Sequence, residues 1–357
     1  MDELLERLAE IADLERTAML LAWDQEVCMP PAGAQARGEL RATVGRLAHE
    51  RFTDERVGEL LQNAAPRDEL EADIVRVARR DFDKASRVAG ALVAEMARAG
   101  VAARGVWLRA RETNDFASFA PYLEHNIELR RRYSACFPEA EHPYDPLVDD
   151  FEPGMRTAEL REALERLRDG LVPLVASAPE VDDSLMRAGP FAEAGQRTLL
   201  TTVLRAVGVD DEQWRLDEAT HPFEATIATR DVRLTTRYNE GDLDSLYSAL
   251  HEFGHGLYEH QVDAALERTP LGAGASSAWH EAQSRLWENM VGRSPGFWRW
   301  CFPHVQAAFP ERFGGRTWQE VQHAANAVRP SLIRVSADEV TYGLHIVMRF
   351  ELELALI

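Results

Sequence analysis

The sequence predicts a mostly α-helical protein with a short β-segment placed directly before a buried helix. Two observations lead to this fold class. Up to about residue 215 the chain is rich in Ala, Leu, Arg and Glu, with apolar residues at three- and four-residue spacing, which is the pattern of amphipathic helices. Residues 225–238 then concentrate β-branched side chains, which favours two short strands.

Proline-containing turns interrupt the helical first part. They lie at Pro30-Pro31, at Pro66 and in the stretch 142–146, where helices should end because proline lacks a backbone donor and disfavours helix just before itself. The chain contains no internal repeat and no low-complexity linker. We expect an N-terminal helical lobe at residues 1–215, joined through a packed junction to a second lobe at residues 216–357.

Composition and charge restrict the class of protein. Of the 357 residues, 45% are hydrophobic and 28% are charged, and the net charge is −20. This charge disfavours binding to nucleic acid or anionic membranes. The N-terminus is acidic and lacks a signal core, and no apolar run approaches membrane length. Cys28, Cys136 and Cys301 are widely separated, which disfavours disulfides or a thiolate metal site. We therefore expect a cytoplasmic protein.

A buried helix should follow the two strands. The turn at 239–242 supplies a helix N-cap, and Leu246, Leu250, Phe253 and Leu257 then form one apolar stripe at helical spacing. This helix carries the segment 251–255, which reads His-Glu-Phe-Gly-His.

The segment 251–255 is an HExxH motif, typical of zinc sites. Because His251 and His255 lie four residues apart, both point from one helix face and can bind one ion. Glu252 lies one position round the helix, beside the ion, where it can accept a proton from a zinc-bound water. The alternative interpretation places both histidines on a solvated helix face.

A catalytic zinc site needs a third protein ligand and an open fourth position. A glycine-rich stretch at 272–276 ends in a serine N-cap, and Trp279, Ala282, Leu286 and Met290 should then form the buried stripe of a second helix. Glu281 lies off this stripe and could point toward the ion. The alternative is a surface ion pair between Glu281 and Arg285.

Beyond these residues, the sequence resembles the carboxypeptidase Taq family of metallopeptidases over essentially its whole length. The resemblance rests on five motifs in the family's order: His221-Pro222-Phe223, Asp231 to Thr235 (DxRxT), the HExxH motif, His280-Glu281-Ala282-Gln283 (HES/GQ), and Ile333 to Asp338 (IRxxAD). Ala282 stands where Ser or Gly is usual. The resemblance favours Glu281 as the third ligand in a gluzincin-type site.

The family resemblance also implies an architecture and an activity. It implies a deep cleft between helical walls, one of them formed by residues 1–215, and a small antiparallel sheet beside the zinc helix. The expected cofactor is Zn²⁺, with Co²⁺ as an alternative, and the expected partners are peptides with a free C-terminus and a second copy of the chain in a homodimer. The expected reaction is hydrolysis of the C-terminal peptide bond by a metal-activated water, with Glu252 as general base.

An exopeptidase of this kind needs a cation for the substrate's terminal carboxylate, which a guanidinium binds in a bidentate manner. Arg334 and Arg233 are the candidates, and an internal ion pair with Asp338 or Asp231 is the alternative for each. From the family resemblance, His221 should help to shape the cleft end.

Three further interpretations stay open. An aminopeptidase or an endopeptidase could use the same metal ligands. The final residues, 351–357, read as an interrupted helix without a stop signal, whereas members of the family usually continue to further cleft-lining segments. From this we expect a C-terminally truncated catalytic lobe that is weakly active, or a non-catalytic metal-binding fragment of the same fold.

Overall fold

A computed structural model of the protein describes residues 1–334 and 337–357. The first part is helical, as predicted, and its breaks at 28–33, 63–68 and 135–144 coincide with the predicted proline turns. Its helices are α1 (Asp2–Val27), α2 (Ala34–Phe52), α3 (Glu55–Gln62), α4 (Glu69–Arg87), α5 (Gly90–Thr113), α6 (Phe116–Ser134), α7 (Asp145–Asp149), α8 (Thr157–Ser177), α9 (Ser184–Arg187) and α10 (Glu193–Ala206), with a 3₁₀ turn at Pro31–Gly33. No helix of the described residues is long and apolar enough to cross a membrane.

In the sequence, a three-stranded sheet follows these helices and precedes the second group of helices. Its strands are β1 (Trp214–Glu218), β2 (Glu224–Ala228) and β3 (Asp231–Thr236), in the order β1-β3-β2. The two strands predicted from the β-branched residues are β2 and β3, and they pair antiparallel.

The expected antiparallel pairing holds for β2 and β3 but not for β1, which pairs in parallel with β3. The sheet is therefore mixed. β1 was missed because it reads Trp-Arg-Leu-Asp-Glu and lacks the β-branched residues that indicate strands. Trp214 is nevertheless buried and packs against Phe253, with ring centroids 5.7 Å apart, and this contact holds β1 to the core.

The second part of the chain returns to helices. They are α11 (Asp244–His260), a 3₁₀ turn (Ala264–Leu266), α12 (Ser277–Arg285), a π-helix (Leu286–Val291), α13 (Pro295–Ala308), α14 (Pro310–Phe313), α15 (Trp318–Ala325) and α16 (Glu339–Leu356). The largest hydrophobic core joins the sheet to α10, α11, α13 and α15. Leu199 and Leu250, on either side of residue 215, belong to that same core, so the junction around residue 215 is packed. The prediction that residue 215 separates two lobes stays a prediction.

Helix α11 lies directly on the sheet. The stripe predicted on it is confirmed, since Leu246, Leu250 and Phe253 are buried and Leu257 packs against the same core. A Cβ on Gly256 would lie 2.7 Å from Val232, so a glycine is required for the helix to approach the sheet this closely. The buried face fixes the rotation of α11, and the HExxH residues therefore occupy a defined position above the sheet.

Candidate metal centre

The two histidines of the HExxH motif lie one turn apart on α11, and both are largely buried. Their rings are adjacent, with centroids 4.9 Å apart, and both line a cleft of about 690 Å³. The alternative of two histidines on a solvated helix face does not describe this arrangement. The motif therefore places two imidazoles side by side in a concave site.

Helix α12 brings Glu281 to the same place. Its first turn is capped by Ser276, whose side chain accepts a hydrogen bond from the backbone of Trp279 at 3.3 Å. The helix crosses α11 at Gly254, where a Cβ would lie 2.5 Å from the carbonyl oxygen of Gln283 and 2.6 Å from the Cα of Ser284. The two helices can approach this closely only because residue 254 has no side chain.

The facing side chains of α11 and α12 converge on one point. Oε2 of Glu281 lies 3.6 Å from Nε2 of His251 and 3.5 Å from Nε2 of His255. Bonds of roughly 2.0–2.1 Å in a tetrahedral zinc site separate neighbouring ligand atoms by about 3.3 Å. The three atoms could therefore hold one divalent cation.

Glu281 is ionised in this environment. Burial by itself would raise its pKa, but the hydrogen bond with His255 and the charges of His251 and Arg285 lower the pKa to about 2. Its other carboxylate oxygen, Oε1, accepts a hydrogen bond from Arg285 at 2.8 Å. The ion pair with Arg285 proposed from helical spacing and the contacts with the two histidines thus occur together, one on each carboxylate oxygen.

Glu252 lies beside the three converging atoms. The residue is only 6% exposed, and burial, reinforced by the nearby carboxylates, raises the pKa of its carboxyl to about 8 in the metal-free site. Glu224, at the start of β2, lines the same cleft. Burial raises the pKa of Glu224 to about 7. The cleft therefore holds two carboxyl groups that can exchange protons near neutral pH.

The apolar stripe predicted on the second helix is wrong. Trp279 is 60% exposed and Met290 is 67% exposed, and Leu286 is also exposed. The inward face of α12 is polar and carries Glu281, Ser284 and Arg285, and Ser284 is fully buried there. Glu288, on the π-helix that follows, lines the same cleft as Glu281 and Arg285. α12 is therefore held by its close approach at Gly254, and the π-helix that follows it packs Trp287 against Phe253, with ring centroids 4.8 Å apart.

Comparison with known proteins identifies the family. The sequence profile of the carboxypeptidase Taq (M32) metallopeptidases matches residues 3–357. The chain belongs to this family. Thermostable carboxypeptidase 1 of Thermus thermophilus is 40% identical over 373 residues, which cover 99% of this chain and 73% of the relative. Carboxypeptidase 1 of Bacillus subtilis is 35% identical, with 99% and 72% covered.

Solved structures of M32 carboxypeptidases share the fold. The enzyme from Deinococcus radiodurans R1 superimposes with a TM-score of 0.90 at 41% identity, covering 99% of this chain and 73% of that one. The Pyrococcus furiosus carboxypeptidase gives a TM-score of 0.93 at 32% identity, with the same coverage. The protein is thus a metallocarboxypeptidase by family, with a mostly helical fold. This family acts with a divalent metal, and His251, His255 and Glu281 are the described residues whose geometry suits one.

The candidate substrate-binding residues divide into two groups. His221 and Arg334 line the cleft, although Val335 and Ser336 of the same IRxxAD motif lie outside the described residues. Arg233 is not among the described cleft-lining residues. Its guanidinium donates two hydrogen bonds of 2.8 Å to Asp231 and lies 4.3 Å from the Trp23 ring centroid. Direct substrate contact by Arg233 stays a prediction, and it would require this pair to open.

Several cleft residues were not found from the sequence. Tyr342, on α16, accepts a hydrogen bond from Arg334 at 3.0 Å and stacks under Arg285, whose guanidinium carbon lies 3.7 Å from the ring centroid. Glu288 accepts a hydrogen bond from Nδ1 of His251, at 2.8 Å, and one from Arg285, at 2.9 Å. Glu288 could have been found because it lies seven residues after Glu281, on the same helix face.

Proposed function

We propose that the protein is a zinc-dependent carboxypeptidase whose metal is bound by His251, His255 and Glu281. The observation that carries this proposal is the convergence of two imidazole nitrogens and one carboxylate oxygen beside the buried Glu252, in a cleft of about 690 Å³. Two histidines, one glutamate and an open fourth position form a common ligand set of zinc peptidases.

The donor atoms favour zinc among the common divalent cations. Imidazole nitrogens suit Zn²⁺ and Co²⁺, whereas Mg²⁺ and Ca²⁺ prefer sites built from oxygen atoms alone. Zn²⁺ is therefore the proposed cofactor, and Co²⁺ should bind in the same position.

Glu252 is the proposed general base. A divalent cation at this site supplies a Lewis acid that polarises the scissile carbonyl, lowers the pKa of water and favours the ionised form of the neighbouring Glu252. The carboxylate of Glu252 takes a proton from the attacking water and then delivers it to the nitrogen of the leaving amine. In the metal-free site burial raises the pKa of the Glu252 carboxyl to about 8, and the charge of a bound cation would lower this pKa.

Recognition of the peptide's C-terminus is assigned to Arg334, with His221 shaping the cleft around it. A guanidinium can hold a carboxylate by two parallel hydrogen bonds, and Arg334 faces the cleft with a side-chain partner, Tyr342, that carries no negative charge. Arg233 already binds a carboxylate, that of Asp231. Arg334 is therefore the preferred contact for the substrate, and Arg233 the second candidate.

Hydrolysis of peptides with blocked ends tests the proposed activity. The zinc-loaded protein should release free C-terminal residues from N-blocked peptides and should lose this activity when the C-terminus is amidated. An aminopeptidase would instead need the free N-terminus, and an endopeptidase would cleave a peptide blocked at both ends. Stoichiometric zinc binding without hydrolysis of any of these peptides would favour the non-catalytic alternative.

The cytoplasmic location and the homodimer expected from the sequence stay predictions. Gel filtration with light scattering would measure the mass of the protein in solution directly.

A further inference from the structure

The side of His255 that faces away from Glu281 contacts a second histidine. Nδ1 of His255 lies 2.6 Å from Nδ1 of His280, and Nε2 of His280 lies 2.8 Å from a carboxylate oxygen of Glu259. The three groups form a continuous hydrogen-bonded chain that leads from the candidate metal site to Glu259. Neither the proposed activity nor the ligand set uses His280 or Glu259.

The direction of these hydrogen bonds follows from what His255 must do. Because Nε2 of His255 faces Glu281 and needs its lone pair for the cation, the ring proton lies on Nδ1. Nδ1 of His280 must then accept that proton's hydrogen bond, so the proton of His280 lies on Nε2 and is donated to Glu259. With the ring protons placed in this way, both donors, Nδ1–H of His255 and Nε2–H of His280, have an acceptor.

Neighbouring backbone and side-chain groups hold His280 and Glu259 in place. The backbone nitrogen of Gly274 donates a hydrogen bond of 2.7 Å to the same oxygen of Glu259. A Cβ on Gly274 would lie 2.6 Å from the His280 ring and 2.9 Å from the ring of Tyr258. The loop before α12 therefore closes over the His280 ring and limits its rotation.

The two metal-facing histidines are supported differently. His251 donates directly to a carboxylate, that of Glu288, whereas His255 reaches the carboxylate of Glu259 only through the imidazole of His280. His280 also precedes the ligand Glu281 on α12. The docking of α12 on α11 therefore brings one ligand to the site and orients another in the same contact.

We infer that His280, with Glu259 behind it, is a positioning residue that fixes the tautomer and ring orientation of His255 and thereby sets the affinity of the site for a divalent metal. This inference rests on the proposed metal site. Partners of this kind behind a metal-binding histidine commonly change metal affinity by about 10- to 100-fold.

The test compares His280→Ala, His280→Asn and His280→Gln. The amide of Asn can place an acceptor oxygen near the position of the His280 Nδ1 atom, whereas Gln can reach Glu259 but leaves Nδ1–H of His255 without an acceptor. Zinc dissociation constants would be measured by competition with a chromophoric chelator. The Co²⁺ absorption spectrum would report the ligand geometry, and the melting temperature of the metal-free protein would report stability.

We expect about 10- to 100-fold weaker zinc binding and an altered Co²⁺ spectrum in His280→Ala and His280→Gln, with recovery of much of the affinity in His280→Asn. Gly274→Ala should weaken binding in the same direction, because its methyl group displaces the His280 ring. His260→Asn is the matched control. His260 lies on α11, the helix of His255 and Glu259, but contacts the carbonyl oxygen of Thr229 and the Trp214 ring, so its replacement should leave zinc affinity unchanged.

Parental zinc affinity in His280→Ala would overturn the inference while leaving the metal site intact. An equal loss in all three His280 variants, in proportion to a lower melting temperature of the metal-free protein, would reduce His280 to a packing role. The proposed metal site fails instead if the parental protein binds no zinc, or if Glu281→Ala binds it unchanged.

Discussion

Oε2 of Glu281 lies 3.5 Å from Nε2 of His255, although the two side chains belong to different helices. The same oxygen lies 3.6 Å from Nε2 of His251. A carboxylate in this position would complete the proposed three-ligand site, since the histidines alone would leave a divalent cation with only two protein donors.

Glu281→Ala should therefore abolish stoichiometric metal binding. The parental protein should hold about one zinc ion per chain, and the variant far less after dialysis against weak chelator. Ala282→Ser is the matched control, because residue 282 lies on the exposed side of α12. Metal analysis of both variants measures the stoichiometry, and unchanged zinc content in Glu281→Ala would exclude Glu281 as a ligand.

Glu252→Gln should retain zinc but lose peptide hydrolysis. The amide has nearly the same shape as the carboxylate and cannot accept the proton of the attacking water, and general-base catalysis commonly contributes about 10²–10⁴ in rate. The measurement is kcat/KM on an N-blocked peptide at matched zinc occupancy. A variant with the parental rate would assign the base to another residue, with Glu224 as the next carboxyl in the cleft.

Arg334→Ala should raise KM for peptides with a free C-terminus by roughly 10- to 100-fold, because a hydrogen bond between charged groups contributes about 1.5–3 kcal/mol. Residual cleavage of C-terminally amidated peptides should be insensitive to the change. Arg233→Ala serves as the comparison, since its guanidinium is bound to Asp231. If Arg233→Ala raises KM and Arg334→Ala does not, the two roles are reversed.

The proximity of His251 and His255 could be predicted from the sequence because it follows from local geometry. Two histidines one turn apart must share a helix face, and the stripe from Leu246 to Leu257 fixes which face is buried. Glu281 was assigned through the family resemblance, since spacing alone allowed an equally good surface pair with Arg285. In the structure, Glu281 contacts both Arg285 and the histidines, so the two alternatives were never exclusive.

The features that the sequence did not predict depend on contacts between distant segments. Trp279 is apolar but exposed, because the approach of α12 to Gly254 turns the polar face of α12 inward, and Met290 is exposed on the π-helix that follows. β1 is a strand because Trp214 packs on Phe253, not because its residues favour strands. His280 contacts His255 only after the two helices dock. No local pattern encodes these contacts.

Glu224→Gln should change the pH dependence of stability of the metal-free protein. Burial raises the pKa of Glu224 from its usual 4.5 to about 7. Between these pH values the folded chain keeps a proton that the unfolded chain has released, so the free energy of unfolding falls as pH rises. The contribution is at most about 3 kcal/mol and is fully developed above the folded pKa.

The variant should therefore be more stable than the parent at pH 8 and equally stable near pH 4. Urea unfolding of the metal-free proteins across this range measures the difference. Glu240→Gln is the control, because Glu240 is exposed and its replacement should leave the profile unchanged. A parallel pH profile in Glu224→Gln and the parent would show that Glu224 titrates normally.

Gly254→Ala should separate the two helices that carry the proposed metal ligands. The added methyl group would lie 2.5 Å from the carbonyl oxygen of Gln283 and 2.6 Å from the Cα of Ser284, and both are backbone atoms that cannot rotate away. Overpacking of this kind commonly destabilises a protein by about 1–3 kcal/mol. Any relief by movement of α12 would also draw Glu281 away from His251 and His255, so zinc affinity should fall together with stability.

Gly45→Ala is the matched control for this change. Gly45 lies within α2, and a Cβ there would meet no atom within 4 Å, so alanine should stabilise the helix by roughly 0.5–1 kcal/mol without altering zinc binding. Chemical unfolding of the metal-free proteins and zinc competition would be measured on both variants. If Gly254→Ala binds zinc with parental affinity, the spacing of α11 and α12 at residue 254 does not determine where Glu281 lies.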